Sequence, residues 1–251
     1  MKVFAYSSLC VKYLDEVVSL ALSNKYNAVE WDLNYIPPVL NTSRRDSLLK
    51  IIRDSNLHFK YHLPYSFVEI GHPDIKIRNY SINTVLFYLD FIHSLHGEVA
   101  IIHVGAQNDC LLRDCLNSLL IIADYANELN IKLCVENLIH GVTTVFDSLL
   151  ELLSIDNVGL CFDTGHAYVV NQSVKNYIPN ILLLLDKVKH SHVYFSEDSS
   201  FNHIPFTKKN LFVTELLKML FDSSCEWYTM ELDIFEEQKQ QLDLLDYSFK
   251  K

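Results

Sequence analysis

Lys132-Leu133-Cys134-Val135-Glu136 and Val158-Gly159-Leu160-Cys161-Phe162-Asp163 are two short apolar runs that each end in a carboxylate. Between them, residues 144–153 carry apolar positions at helical spacing. Strand, helix and strand in this order imply two parallel strands joined by a crossover. The same unit repeats outward in both directions. Strands are expected at 2–6, 27–32, 57–62, 99–103, 132–136, 158–163, 188–194 and 227–232. Helices are expected at 13–24, 45–56 with Ser43 as N-cap, 74–96, 109–130, 144–153, 173–185 with a break near Pro179, 210–221 and 235–246. Eight such units in 251 residues match the size of a single (β/α)8 barrel, an α/β fold spanning 1–251 as one domain. An open doubly wound sheet would place a glycine-rich phosphate turn after the first strand, and Tyr6-Ser7-Ser8-Leu9 is not one.

Composition narrows the class. Hydrophobic residues make up 49% and charged residues 21%, a globular balance. No run approaches the ~18 apolar residues of a spanning helix, and the N-terminus meets Tyr13, Asp15 and Glu16 too early for a signal peptide. The net charge is -10, with five arginines and no basic run longer than a pair, which argues against nucleic acid as a partner. The six cysteines show no Cys-x-x-Cys spacing and read as small core residues in a reducing, cytoplasmic setting. The oligomeric state is left open.

In a barrel of this kind the chemistry sits at the C-terminal ends of the strands. Those ends carry Glu30 on the second strand, His62 on the third, His103 on the fourth, Glu136 on the fifth, Asp163 with His166 on the sixth, His192 on the seventh and Glu231 on the eighth. Strand alternation turns Glu136 inward with Cys134 and Lys132, Asp163 with Cys161, and Glu231 with Thr229 and Trp227. It turns Leu133, Val135, Leu160, Phe162 and Met230 outward, toward the helices. Carboxylates and imidazoles converging on one mouth are best reconciled by a divalent cation, which takes oxygen and nitrogen donors together. His58, His72, His93, His96 and His140 read as surface or core residues, and His190 as a deeper hydrogen-bonding group. Lys60 shares the parity of His62 and is expected to pair with Glu30 or Asp32.

Glu136-Asn137, Phe162-Asp163-Thr164-Gly165-His166-Ala167, His192 and Glu231, in this order, resemble the xylose-isomerase-like barrel superfamily. That superfamily takes in sugar epimerases, related isomerases and dehydratases, and endonuclease-IV-type DNA repair enzymes. The resemblance to the epimerases implies one divalent metal held by Glu136, Asp163, His192 and Glu231. It implies Glu136 and Glu231 as the proton-transferring pair and His166 as a substrate contact. The endonuclease-IV type uses three zinc ions, and His62, His103 and His166 match its additional ligands. Its later Asp-x-His pair is only half matched, at Phe201-Asn202-His203, so no fully ligated third ion is expected. Val193-Tyr194-Phe195 also departs from the polar residues usual in both branches.

The leading expectation is a metal-dependent isomerase or epimerase of a small sugar-like carbonyl compound, with Glu136 and Glu231 passing a proton between adjacent carbons through an enediolate. The metal can be Mn, Zn, Fe, Co or Mg, since mixed oxygen and nitrogen sites accept each of them. The alternative is an endonuclease-IV-type phosphodiesterase, an abasic-site endonuclease, in which His62, His103, His166 and His203 serve further ions. A non-catalytic barrel with a structural metal, or a regulatory binding module, is the third class.

Overall fold

The computed structural model describes residues 2–9, 11, 13–34, 42–200, 202–207 and 211–249. Eight parallel strands close into a barrel. They are β1 (Val3–Ser7), β2 (Ala28–Asp32), β3 (His58–His62), β4 (Val99–Ile102), β5 (Lys132–Glu136), β6 (Val158–Asp163), β7 (Val188–His192) and β10 (Trp227–Met230). The order around the barrel is β1-β10-β7-β6-β5-β4-β3-β2, each strand lying beside its predecessor in this series. A two-stranded antiparallel hairpin, β8 (Ser196–Glu197) with β9 (His203–Ile204), stands outside the barrel after β7. The intervening helices are α1 (Leu14–Ser23), α2 (Thr42–Ser55), α3 (Ile75–Ser94), α4 (Leu112–Glu128), α5 (Phe146–Leu152), α6 (Thr164–Ser173), α7 (Tyr177–Ile181), α8 (Leu211–Asp222) and α9 (Phe235–Phe249).

The apolar residues split into two layers, as strand alternation demands. Leu133, Val135, Leu160, Phe162 and Met230 join the large cluster between sheet and helices. Inside the barrel, Val3, Ala5, Ala28 and Trp227 form one small cluster, and Val99, Ile101, Cys134 and Cys161 form another. These fill the lower interior, so the inward groups above them are polar.

Local structure departs from the sequence expectation in several places. Helix α2 begins at Thr42, so Ser43 lies inside it rather than capping it. The helix expected at 173–185 is not continuous. Helix α6 starts at once after β6, because Asp163 is its N-cap and accepts the His166 N–H at 2.6 Å. The break falls at Asn176, in the left-handed region at φ 63°, and α7 follows. Pro179 sits in the first turn of α7, where its missing N–H has no intrahelical partner to lose. Strand β4 ends at Ile102, leaving His103 just beyond it. The register between β6 and β7 slips, pairing Leu160 with Val188 but Cys161 with His190. This bulge passes over the exposed Lys189 and sends both His190 and His192 inward. Lys60 does not pair with Glu30 or Asp32. Its ammonium lies 4.5 Å from the centre of the Trp227 ring and donates to the Lys189 carbonyl at 3.4 Å.

Candidate active site

The strand ends bring three carboxylates and one imidazole to a single point. One donor atom each from Glu136, Asp163, His192 and Glu231 lies within 4.8 Å of the others, and all four residues are buried. His192 Nδ1 is the centre of the group, 2.8 Å from Glu231 Oε2, 3.5 Å from Asp163 Oδ2 and 3.5 Å from Glu136 Oε1. Two unit charges about 4 Å apart repel by about 4 kcal/mol even where the effective dielectric constant is ~20, so three carboxylates here call for a cation. Asp163 Oδ2 and His192 Nδ1 are buried and make no well-directed hydrogen bond among the described residues, although both face the cluster. These orphaned atoms, with the mixed oxygen and nitrogen donor set, fit a divalent metal.

Glu136 faces two groups at once. While Oε1 points toward His192, Oε2 meets His62 Nε2 at 3.2 Å and His103 Nε2 at 3.1 Å. His62, His103 and Glu136 form a second set of convergent donors. Burial pushes the Glu136 carboxyl up, but His103, His192 and hydrogen bonds from His103 and His166 outweigh it and hold it well below the usual range. Burial likewise lowers His62, but hydrogen bonding and attraction to Glu136 lift it to about 9. A metal ion therefore competes with protons for these nitrogens.

Asn137 fixes the spacing of the two strand ends. Its amide donates to the Asp163 carbonyl at 3.0 Å, and its carbonyl accepts the Asp163 N–H at 2.8 Å. This continues the β5–β6 pairing one residue past Glu136. Asp163 divides its oxygens, Oδ1 capping α6 and Oδ2 facing the cluster. The cap also places His166, whose Nδ1 lies 2.9 Å from the Asn137 carbonyl and 3.2 Å from Glu136 Oε1.

Sequence reasoning missed Glu197. The hairpin carries its carboxylate to His166 Nε2 at 2.9 Å, and His203 Nε2 lies 3.6 Å from the same oxygen. Tyr194 donates its hydroxyl to Glu197 at 3.1 Å, while Glu197 Oε2 is buried without a partner among the described residues. Phe201, on which the expectation of no third ion rested, lies outside the described residues. A carboxylate nevertheless meets His166 and His203, supplied from position 197. His203 Nδ1 in turn contacts Asp233 at 3.1 Å. Glu69 was also missed. It accepts the backbone N–H groups of Gly71, Gly105 and Gln107 and so ties down the loop that follows His103. His140, read as a surface or core residue, is exposed and lines the strand-end cavity, whereas His58, His93 and His96 are exposed away from it. His190 is the deep hydrogen-bonding group anticipated, and burial drives it down to about 3.

Above the donors lies a cavity of about 350 Å³. Its lining combines the polar side chains of His62, His103, Glu136, His166, His203 and Glu231 with Leu9, Tyr65, Leu138 and Ile139. Neither Lys nor Arg occurs among the described residues lining it.

An uncharacterized protein of Methanocaldococcus jannaschii is 27% identical over 221 residues, 87% of each chain. Among solved structures, a D-tagatose 3-epimerase-like protein superposes with a TM-score of 0.83 at 18% identity, over 99% of this chain and 97% of its own. Endonuclease IV from Thermus thermophilus superposes with a TM-score of 0.75 at 17% identity, over 99% of each chain. At such identities the likeness to solved structures is one of fold. The sequence profile described as xylose isomerase-like TIM barrel matches residues 18–247, and the chain belongs to that family.

Proposed function

We propose that the protein is a divalent-metal-dependent isomerase or epimerase of a small sugar-like carbonyl compound. The convergence of Glu136, Asp163, His192 and Glu231 beneath a cavity sized for one small ligand carries this reading. When bound there, the metal would polarise the substrate carbonyl and stabilise charge developing on its oxygen. Glu136 and Glu231 both face the cavity, so one removes a proton from the carbon beside the carbonyl and the other returns it. His166, His203 and Glu197 line the cavity together and would face the substrate's hydroxyl groups. Tyr65, Leu138 and Ile139 shield the site from bulk water. A cytoplasmic, reducing setting accords with Cys110, Cys115, Cys134, Cys161 and Cys225, which are free and buried. No helix among the described residues is long and apolar enough to cross a membrane.

A second reading, a phosphodiesterase with more than one ion, is favoured by His62 and His103 on the second oxygen of Glu136. The cavity's lack of Lys and Arg among its described lining residues, and the net charge of -10, weigh against a nucleic acid backbone as substrate. Elemental analysis of purified protein, with two activity assays, tests the choice. About one ion per chain, and deuterium from heavy water entering ketopentoses or ketohexoses beside the carbonyl, is the expected outcome. Two or three ions per chain with cleavage of abasic-site DNA would transfer the assignment to the phosphodiesterase. A double His62→Ala, His103→Ala substitution should leave the metal content unchanged in the first case and lower it in the second.

A further inference from the structure

Glu30 lies in the middle of β2, across the barrel from His192, with β1 and β10 between β2 and β7. It is 2% exposed and is not among the residues lining the cavity. Its carboxylate spans the interior. Oε1 accepts from His192 Nε2 at 3.0 Å, and Oε2 accepts from the Thr229 hydroxyl at 2.6 Å and from His190 Nε2. Trp227 Nε1 then donates to Thr229 Oγ1 at 3.1 Å. A buried carboxylate with so many donors is fully engaged, and no ion pair to Lys or Arg is present for it among the described residues.

The contact has a directional consequence. An imidazole turned over about its Cβ–Cγ bond exchanges Nδ1 for a carbon. That flip would place a C–H group against Glu231, Asp163 and Glu136. Glu30 opposes it, because the flip also carries Nε2–H away from Oε1. We propose that Glu30 is a positioning residue that grips His192 by its Nε2–H and so aims Nδ1 at the three carboxylates, ready for the metal. This inference rests on the metal centre proposed above. It follows the general pattern in which a ligating histidine donates its second N–H to a carboxylate.

Binding of Co²⁺ and Zn²⁺, measured by competition with a chromophoric chelator and without any substrate, tests it. Glu30→Gln and Glu30→Ala, each checked for folding by circular dichroism, should weaken binding by ~10- to 100-fold. The visible spectrum of the Co²⁺ protein should change with them. Thr229→Val removes a neighbour of Glu30 but leaves its grip on His192, so its affinity should stay close to wild type even if its unfolding midpoint falls. In zinc-loaded wild-type protein labelled with ¹⁵N-histidine, His192 should bind through Nδ1 and keep a proton on Nε2. Folded Glu30 variants with wild-type affinity, or zinc on Nε2 of His192, would overturn the role of Glu30 while leaving the metal centre standing. Wild-type protein that binds neither ion would remove both.

Discussion

Glu136 shows how much one side chain can be asked to do. Its two oxygens face different histidines, Oε1 toward His192 and His166, Oε2 toward His62 and His103. Glutamine keeps the shape but replaces one acceptor oxygen by a donor and loses the ability to take up a proton. Glu136→Gln should therefore lower kcat by at least ~10²-fold, the lower end of general acid–base contributions, while the circular dichroism spectrum is retained. A fully active Glu136→Gln enzyme would show that the proton travels another way. Asp163 divides its oxygens in the same manner, one for the helix and one for the site.

At the scale of elements, the turn from β6 into α6 is the tightest joint around the site. A Cβ on Gly165 would lie 2.0–2.5 Å from the Tyr194 ring. That ring is fully buried, and its hydroxyl is anchored on Glu197, so it has little room to yield. Gly165→Ala should cost about 1–3 kcal/mol, the range for overpacking, measured by denaturant unfolding. Gly159, lower on β6, is the contrast. Its Cβ would meet the flexible Lys189 side chain at 3.0 Å, so Gly159→Ala should cost far less. Equal losses at the two positions would mean that the contact with Tyr194 does not hold α6 in place.

For the molecule as a whole, the site is a cluster of carboxylates and imidazoles from distant strands that folding has brought together. A ligand that binds the folded chain alone stabilises it by mass action, about 2.7 kcal/mol at a hundredfold excess over Kd. For a chain of this size that is roughly a 5–10 °C rise in Tm. Adding Zn²⁺ or Mn²⁺ to chelator-treated protein should produce such a rise in differential scanning fluorimetry, and Asp163→Asn should shrink it. A Tm indifferent to both ions would refute a metal held by the four strand-end residues.

The sequence by itself determined the alternation of strands and helices, the closed eight-unit count and the inward parity of Glu136, Asp163 and Thr229. These follow from local periodicity, which the chain carries without reference to distant partners. That Glu136, Asp163, His192 and Glu231 would converge was legible for the same reason, since barrel geometry sends every strand end to one face. The remainder depends on residues far apart in the chain. Glu30 reaches His192 across 162 positions, and no local pattern marks that pairing. Glu197 reaches His166 because the β8–β9 hairpin packs against α6, a contact that no local pattern marks. Lys60 lies over the Trp227 ring rather than on Glu30, whose two oxygens are taken by His190, His192 and Thr229. Hydrogen bonds and ring contacts of this kind are settled by side-chain direction in the closed barrel, which only the tertiary structure decides.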